Sequence, residues 1–505
     1  MNQLDVCLVR TAPAYPDEAP FHPDEEYPEY PFRDRGAVSA RPNPAYAGVR
    51  RLLRLAGLDA PNFGSARWNP LGDLVRPGDR VLIKPNLVYH AHPVRFEGWV
   101  AVLTHGAVVR AVLDYTWIAL AGSGEVWIGD VPLQSADFDA VTRFAGLNGI
   151  HDFYRRAAGV DVPILDLRVV RVAGSDAGAI VRSERVNGDP RGTVAVDLDG
   201  ASMHARRPEL GRLLRVSHYD RSATVMHHTG GHHEYCIARS ALDADVFINL
   251  PKLKTHCKAG VTIALKNLIG INADKSWLPH YAAGSPPAGG DEYESPSLVN
   301  WLRSAAKERL YDRPFLRRVV RSLGMPLLRL QARSEAAARN LPPEASPVGG
   351  GAWHGNDTLW RTILDLNRIL LYARRDGTLA DEPQRRYLAL VDAIVAGQGQ
   401  GPLAPDPLPA GALLLGRNPV AVDVVGATLL GMDPAHLPQI ARAFDASPYP
   451  LITGSLDSVR VVSDAPEWSG GLASVRTNSL GARAPIGWRG HIEIAALEKP
   501  DRHAS

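Results

Sequence analysis

DADVFINLPKLKTHCKAGVTIALKNLIG, residues 243–270, places an apolar run, a proline and four lysines in one stretch. The run VFINL has the length and apolar content of a strand buried on both faces of a parallel sheet, and Pro251 ends it. The following VTIALKNLIG is expected to be a helix. If that helix starts near Lys258, then Lys258, Thr262 and Lys266 fall at i, i+4 and i+8 on one face. Gly260 would let a ligand approach the backbone closely, and free N–H groups at the helix start would suit an anion.

Five of the eight lysines lie between Lys252 and Lys275, whereas arginine occurs 48 times. Guanidinium stays protonated, but a lysine amine shifts its pKa readily and becomes a nucleophile when neutral. In an arginine-rich chain, a lysine cluster marks chemistry that arginine cannot supply.

Working outward, LDVCLVR (4–10) reads as an opening strand, and YAGVRRLLRLAGL (46–58) as a helix. DRVLIKPNLV supplies a buried strand at 80–83, broken by Pro85; Thr104 can cap the helix HGAVVRAVLDYTWIALAG, and EVWIGD returns as a strand. Strand, helix, strand is the order of a parallel α/β unit. Residues 160–217 alternate with polar turns and suggest an antiparallel insert. NDTLWRTILDLNRILLYARR and PVAVDVVGATLLG read as helices, YLALVDAIVAG and ALLLG as strands, GQGQGPLAPDPLPAG as turns, and HIEIAAL as a strand in a loop-rich tail. The fold class is therefore α/β: a mostly parallel sheet flanked by helices, with an antiparallel β-rich insert and a second α/β lobe. The expected segments are an N-terminal extension (1–78), a first α/β lobe (79–159), the insert (160–217), a motif-bearing segment (218–297), a helical basic insertion and linker (298–355), a C-terminal α/β lobe (356–465) and a tail (466–505).

Three apolar runs end in charged or polar groups: Lys84 and Asn86, then Asp130, then Lys252, Lys254 and His256. In open parallel sheets, the crevice beyond the carboxyl ends of the strands is the usual ligand site. Asp392, ahead of the glycine-rich GQGQGP (397–402), and Asn267 join these as candidate substrate-binding residues. Lys252, Lys254, His256 and Lys266 are the candidate catalytic groups.

A net charge of +2, from 56 basic and 54 acidic residues, gives no global field for nucleic acid. Cys7, Cys236 and Cys257 form no CxxC pair, which argues against a disulfide framework and an all-cysteine iron–sulfur cluster and fits a cytoplasmic setting. No segment carries 18 consecutive apolar residues, so no transmembrane span is expected. Residues 314–333 set apolar side chains against arginines and could touch a membrane peripherally. His227, His228, His232 and His233, in HHTGGHHEY, have spacing that would suit a divalent metal, with His256 as a further ligand. Phosphate-loop, nucleophile-elbow and dinucleotide-binding signatures are missing.

VLIKPNLV, THGAVVRAVL with VWIGDVP, the lysine segment, ALVDAIVAGQGQGP and GRNPVAVDVVGATLLGMDP together resemble, over roughly 80–435, the domain of unknown function 362 family. Many relatives add a ferredoxin-like cluster domain, which the scattered cysteines do not support here. Gln398 stands where family members often have an acidic residue. Locally, DADVFINLPKLKTHCKAGVTIALKN is similar to nickel-pincer lactate racemases. That resemblance would make His256 a nickel ligand and Lys266 the lysine that anchors the cofactor, although the doubled glycines before the lysine are lacking. It implies a racemase or epimerase acting on a small anionic substrate. Two other expectations stand beside it: a non-catalytic metabolite- or metal-binding assembly protein, and a transferase in polysaccharide or secondary-metabolite synthesis.

Overall fold

The structure, a computed structural model, describes residues 2–92, 96–174, 180–216, 221–296 and 350–497, with positions 298 and 300. The basic segment 314–333 and most of the linker at 342–351 lie outside the described residues.

One ten-stranded sheet organises the chain. Its strands are β1 (Asp5–Arg10), β2 (Arg80–Pro85), β3 (Glu125–Asp130), β4 (Ile164–Asp166), β5 (Val246–Leu250), β6 (Lys252–His256), β7 (Gly260–Thr262), β8 (Arg386–Gln400), β9 (Ala404–Gly416) and β10 (Arg460–Ser463). The order is β10-β1-β9-β8-β5-β2-β3-β4, with β6 beside β8 and β7 beside β6. Strands β8, β5, β2, β3 and β4 run parallel, while β9 is antiparallel to both β8 and β1. Segments that read separately along the chain thus share one sheet.

Alternation along the strands builds two cores. Val81, Ile83, Val246 and Ile248 face one side, where α1 (Pro44–Leu55) and α2 (Gly106–Leu120) pack. Leu82 and Phe247 face the other, against α4 (Leu359–Tyr372) and α5 (Pro419–Leu430). The helices begin as the local chemistry dictates: Asn43 accepts from the Tyr46 N–H ahead of α1, and Asn418 accepts from Val420 and Ala421 ahead of α5.

Several expectations change. Thr104 does not cap α2; His105 does, through Nδ1 accepting the Ala107 N–H, while Thr104 Oγ1 accepts from Asn86 N–H and donates to the Leu250 carbonyl. The stretch from Lys252 to Thr262 is a hairpin, not the start of a helix: Lys254 pairs with Thr262 and His256 with Gly260. Helix is confined to α3 (Ala264–Asn267), so Lys258, Thr262 and Lys266 share no helical face. The β-branched Val261 and Thr262 find ladder partners there, and the φ of +73° at Gly260 suits the tight return. GQGQGPLAPDPLPAG continues both arms of the β8–β9 hairpin rather than forming turns throughout. HIEIAAL ends in the short helix Ile494–Leu497. Within 160–217, Val170–Gly174 and Ile180–Arg185 form the expected antiparallel pair, but β4 joins the main sheet in parallel, and Thr193–Asp197 pairs with Glu234–Ala238.

Candidate functional site

The chain passes from β2 to β3 and β4 on one side, then returns to place β5 on the other side of β2. The strand order reverses between β2 and β5, and their carboxyl ends form the topological switch point. Lys84 and Asn249 are register partners there. After Pro251, the chain leaves β5 and continues as β6 beside β8, which sets Lys252 opposite Asp392.

Two buried ion pairs flank the switch point. Lys84 Nζ donates to Asp130 Oδ1 at 2.7 Å, and Asp130 also accepts the Leu87 and Val131 N–H groups. Lys252 Nζ donates to Asp392 Oδ2 at 2.7 Å and to the Tyr15 hydroxyl at 2.8 Å; Tyr15 in turn donates to Asp392 Oδ1 at 2.5 Å. The His105 N–H also reaches Asp392, and the His105 ring stacks on Tyr15 with centroids 4.1 Å apart. Burial pulls both lysines downward in pKa, and their carboxylate partners oppose it.

An amide ladder lies between the pairs. Asn267 Oδ1 accepts from Asn86 Nδ2 (2.9 Å) and Lys84 Nζ (3.2 Å), and Asn267 Nδ2 donates to Asn249 Oδ1 (2.7 Å). Asn249 donates onward to the Ala264 carbonyl and the Tyr387 hydroxyl. Thus Lys84, Asn86, Asp130 and Asn267 meet in one network, and Lys252 and Asp392 in a second.

Lys254, Lys266 and Lys275 form no ion pair with a carboxylate among the described residues. Lys254 donates only to the carbonyls of Val102 and Pro402, and Lys275 to that of Ile269. The side chain of Lys266, a residue only 9% exposed, makes no hydrogen bond or ion pair with a described residue. Burial, reinforced by Lys252 and Lys266, holds Lys254 well below the usual lysine range. Burial also pulls Lys266 down to about 7, against Cys257 and with the help of Lys258 and Lys84; Lys275 likewise falls to about 7.

Two histidines flank Lys266 electrostatically, and their hydrogen bonds fix opposite tautomers. His256 Nδ1 accepts the Lys258 N–H at 3.0 Å, so its hydrogen sits on Nε2. His280 Nδ1 donates to the Leu278 carbonyl at 2.8 Å, so its Nε2 carries a bare lone pair. Burial and the lysine charges keep both rings neutral. A metal-ligating imidazole donates from its other nitrogen. His256 accepts there instead, and therefore does not fit a nickel ligand through Nε2.

Of the HHTGGHHEY histidines, His228 and His233 group with His204, whereas His227 and His232 lie against separate carboxylates. His227 Nδ1 lies 2.7 Å from Glu234 Oε2 with its ring stacked on Trp277; His228 donates to the Trp277 carbonyl. The rings of His228 and His233 are 5.7 Å apart, centroid to centroid. His232 Nδ1 is 2.7 Å from Asp197, and Asp197, Asp199 and His232 are the one His, Cys, Asp or Glu trio among the described residues with ligand atoms mutually within 4.8 Å. A surface depression at the opposite, amino-terminal edge of β5 is lined by Asp245, Arg374, Arg375 and Arg385. Arg375 there is held by Asp245, and Arg385 by the carbonyls of Ala241, Leu242, Leu370 and Ala373.

Tyr15, His105 and His280 were not singled out as site residues from the sequence. Tyr15 sits in a proline-rich loop without a motif, and His105 reads as an ordinary position before a helix. His280 closes the lysine-rich segment, so its place beside that cluster was the available signal.

Among the described residues no helix is long and apolar enough to cross a membrane. A thylakoid-associated protein of Synechocystis sp. is 28% identical over 216 residues, covering 42% of this chain and 46% of that protein. The chain therefore matches less than half the length of this curated relative. No solved structure matches the chain. With the switch-point crevice, the VLIKPNLV strand end and the lysine hairpin in one sheet, the family match over residues 168–428, more than half of the chain, completes the assignment: the protein belongs to the family described as domain of unknown function (DUF362).

Proposed function

We propose that this protein is a cytoplasmic enzyme that binds a small carboxylate- or phosphate-bearing substrate at the switch-point crevice and moves a proton on it, as a racemase or epimerase does. One observation carries this reading: Lys254, Lys266 and Lys275 are buried together without a carboxylate partner among the described residues. Buried cations without counter-charge are costly, and a bound anion supplies that charge. A neutral amine at Lys266, a bare Nε2 on His280 and an N–H on His256 Nε2 then provide proton acceptors and a donor around it. The nickel-pincer version has weaker support because His256 accepts, rather than donates, at Nδ1.

Deuterium wash-in tests the proposal. The protein is incubated in D2O with a panel of 2-hydroxy acids and sugar acids, and exchange beside the acid group is followed by NMR. Exchange that is lost in Lys266→Met is expected. A panel with neither exchange nor calorimetric binding overturns it.

The relative's thylakoid association favours a second reading, in which the same crevice serves a protein docked on a membrane through residues 314–333. Flotation with anionic liposomes tests it; equal flotation of wild type and Arg317→Glu/Arg321→Glu rejects that segment as the anchor.

A further inference from the structure

The buried lysines differ in how they are held. Lys84 and Lys252 donate to carboxylates, and Lys254 and Lys275 to backbone carbonyls, so each ammonium is tethered in place. Lys266 has no such tether among the described residues, although it is nine-tenths buried. An ammonium in that position would have no acceptor among the described residues and little contact with solvent. The uncharged amine, with its lone pair free, is the form the surroundings favour.

We propose that Lys266 captures its substrate covalently as an imine, and that the substrate class is an aldehyde or ketone carrying a carboxylate or phosphate. This rests on the anion-binding reading above and adds the functional group that the anion carries. The Nζ lone pair attacks the carbonyl carbon, forming the C–N bond while the C=O π pair moves to oxygen. That oxygen is held by a hydrogen bond from the Nε2–H of His256. The nitrogen loses a proton to the bare Nε2 of His280. His280 passes that proton to the oxygen; with a further proton from solvent the hydroxyl leaves as water while the nitrogen lone pair closes C=N as an iminium, so neither ring is consumed. Once formed, the iminium draws electrons from the adjacent carbon and acidifies its C–H bond, which connects capture to the proton movement proposed for the site. Cys257 is a poor competitor for the carbonyl, because burial pushes its thiol pKa up. The depressed pKa of Lys266 gives imine formation a rate that rises with pH through about 7.

The test uses the full-length protein with glyoxylate and glycolaldehyde phosphate as probes, sodium borohydride as the trap, and peptide mapping by mass spectrometry. Hydride adds to the imine carbon, so the trapped peptide gains the probe mass less one oxygen atom. The expected result is a single adduct on the peptide bearing Lys266, blocked by Lys266→Arg, which keeps a cation but cannot form an imine. Should that variant fail to fold, the site of the adduct in wild type decides. An adduct spread over other lysines, or no adduct with either probe, overturns the imine. Calorimetry with glycolate and inorganic phosphate separates the two ideas: binding of these without trapping removes the imine alone, whereas absence of both removes the anion site as well.

Discussion

Lys252 Nζ donates to Asp392 Oδ2 across 2.7 Å, with both side chains withdrawn from solvent. The pair fastens β6 to β8 at the point where β6 has just left β5. Asp392→Asn leaves the ammonium buried with only neutral acceptors, and a loss of about 3–5 kcal/mol is expected from urea unfolding. Lys252→Met/Asp392→Leu removes both charges and should cost less than either single change. A double variant as unstable as Asp392→Asn would contradict that ordering.

Gly270 lies against the other pair. A Cβ there would sit 2.0 Å from Asp130 Oδ1 and 2.5 Å from Lys84 Nζ, both buried. Gly270→Ala must displace the Lys84–Asp130 pair, and a cost of about 1–3 kcal/mol is expected. The affinity for the proposed anionic substrate should fall with it. Calorimetry that finds unchanged affinity would separate this pair from the site.

Asn267 receives from Lys84 and Asn86 and gives to Asn249; because Lys84 keeps Asp130, Asn267→Leu strands two polar groups, Asn86 Nδ2 and Asn249 Oδ1. Roughly 1–3 kcal/mol is expected for each one left unsatisfied. Asn267→Asp keeps the acceptor while losing the donor to Asn249, and thermal unfolding should place it between wild type and Asn267→Leu.

Stability should also depend on pH through Lys266 and Lys275. An unfolded lysine titrates near 10.4, whereas burial lowers both to about 7 in the fold. Between those limits the unfolded chain holds the extra protons, so their contribution to stability rises with pH. Below about 7 both states are protonated and the full burial cost is present. Lys275→Met should therefore gain most on wild type near pH 6, and the gain should shrink toward pH 10; chemical denaturation at both ends measures it. A gain that does not vary with pH would contradict the assignment.

The sheet was legible because its strands are long apolar runs: VLI, VWIG, VFINL and ALLLG needed little more than hydrophobicity. The hairpin after Pro251 was misread because VTIALKNLIG carries helix-compatible residues, and only its partners show which state prevails. Lys254 opposite Thr262 and Lys252 opposite Asp392 are pairings between distant or reversing segments, which local periodicity does not register. Of the residues read from strand ends, Lys84, Asn86 and Asp130 share one hydrogen-bonded network, whereas Lys252 belongs to a second and Lys254 to backbone carbonyls. The histidine tautomers were out of reach, since they depend on backbone groups at Lys258 and Leu278.

The bond from Tyr15 to Asp392 joins residues 377 positions apart. Closing so distant a contact is a late, entropically expensive step in folding. During synthesis the lysine segment emerges well before Asp392, and Lys252 has no carboxylate until β8 is made. The Lys252–Asp392 pair is therefore completed only after most of the chain has left the ribosome.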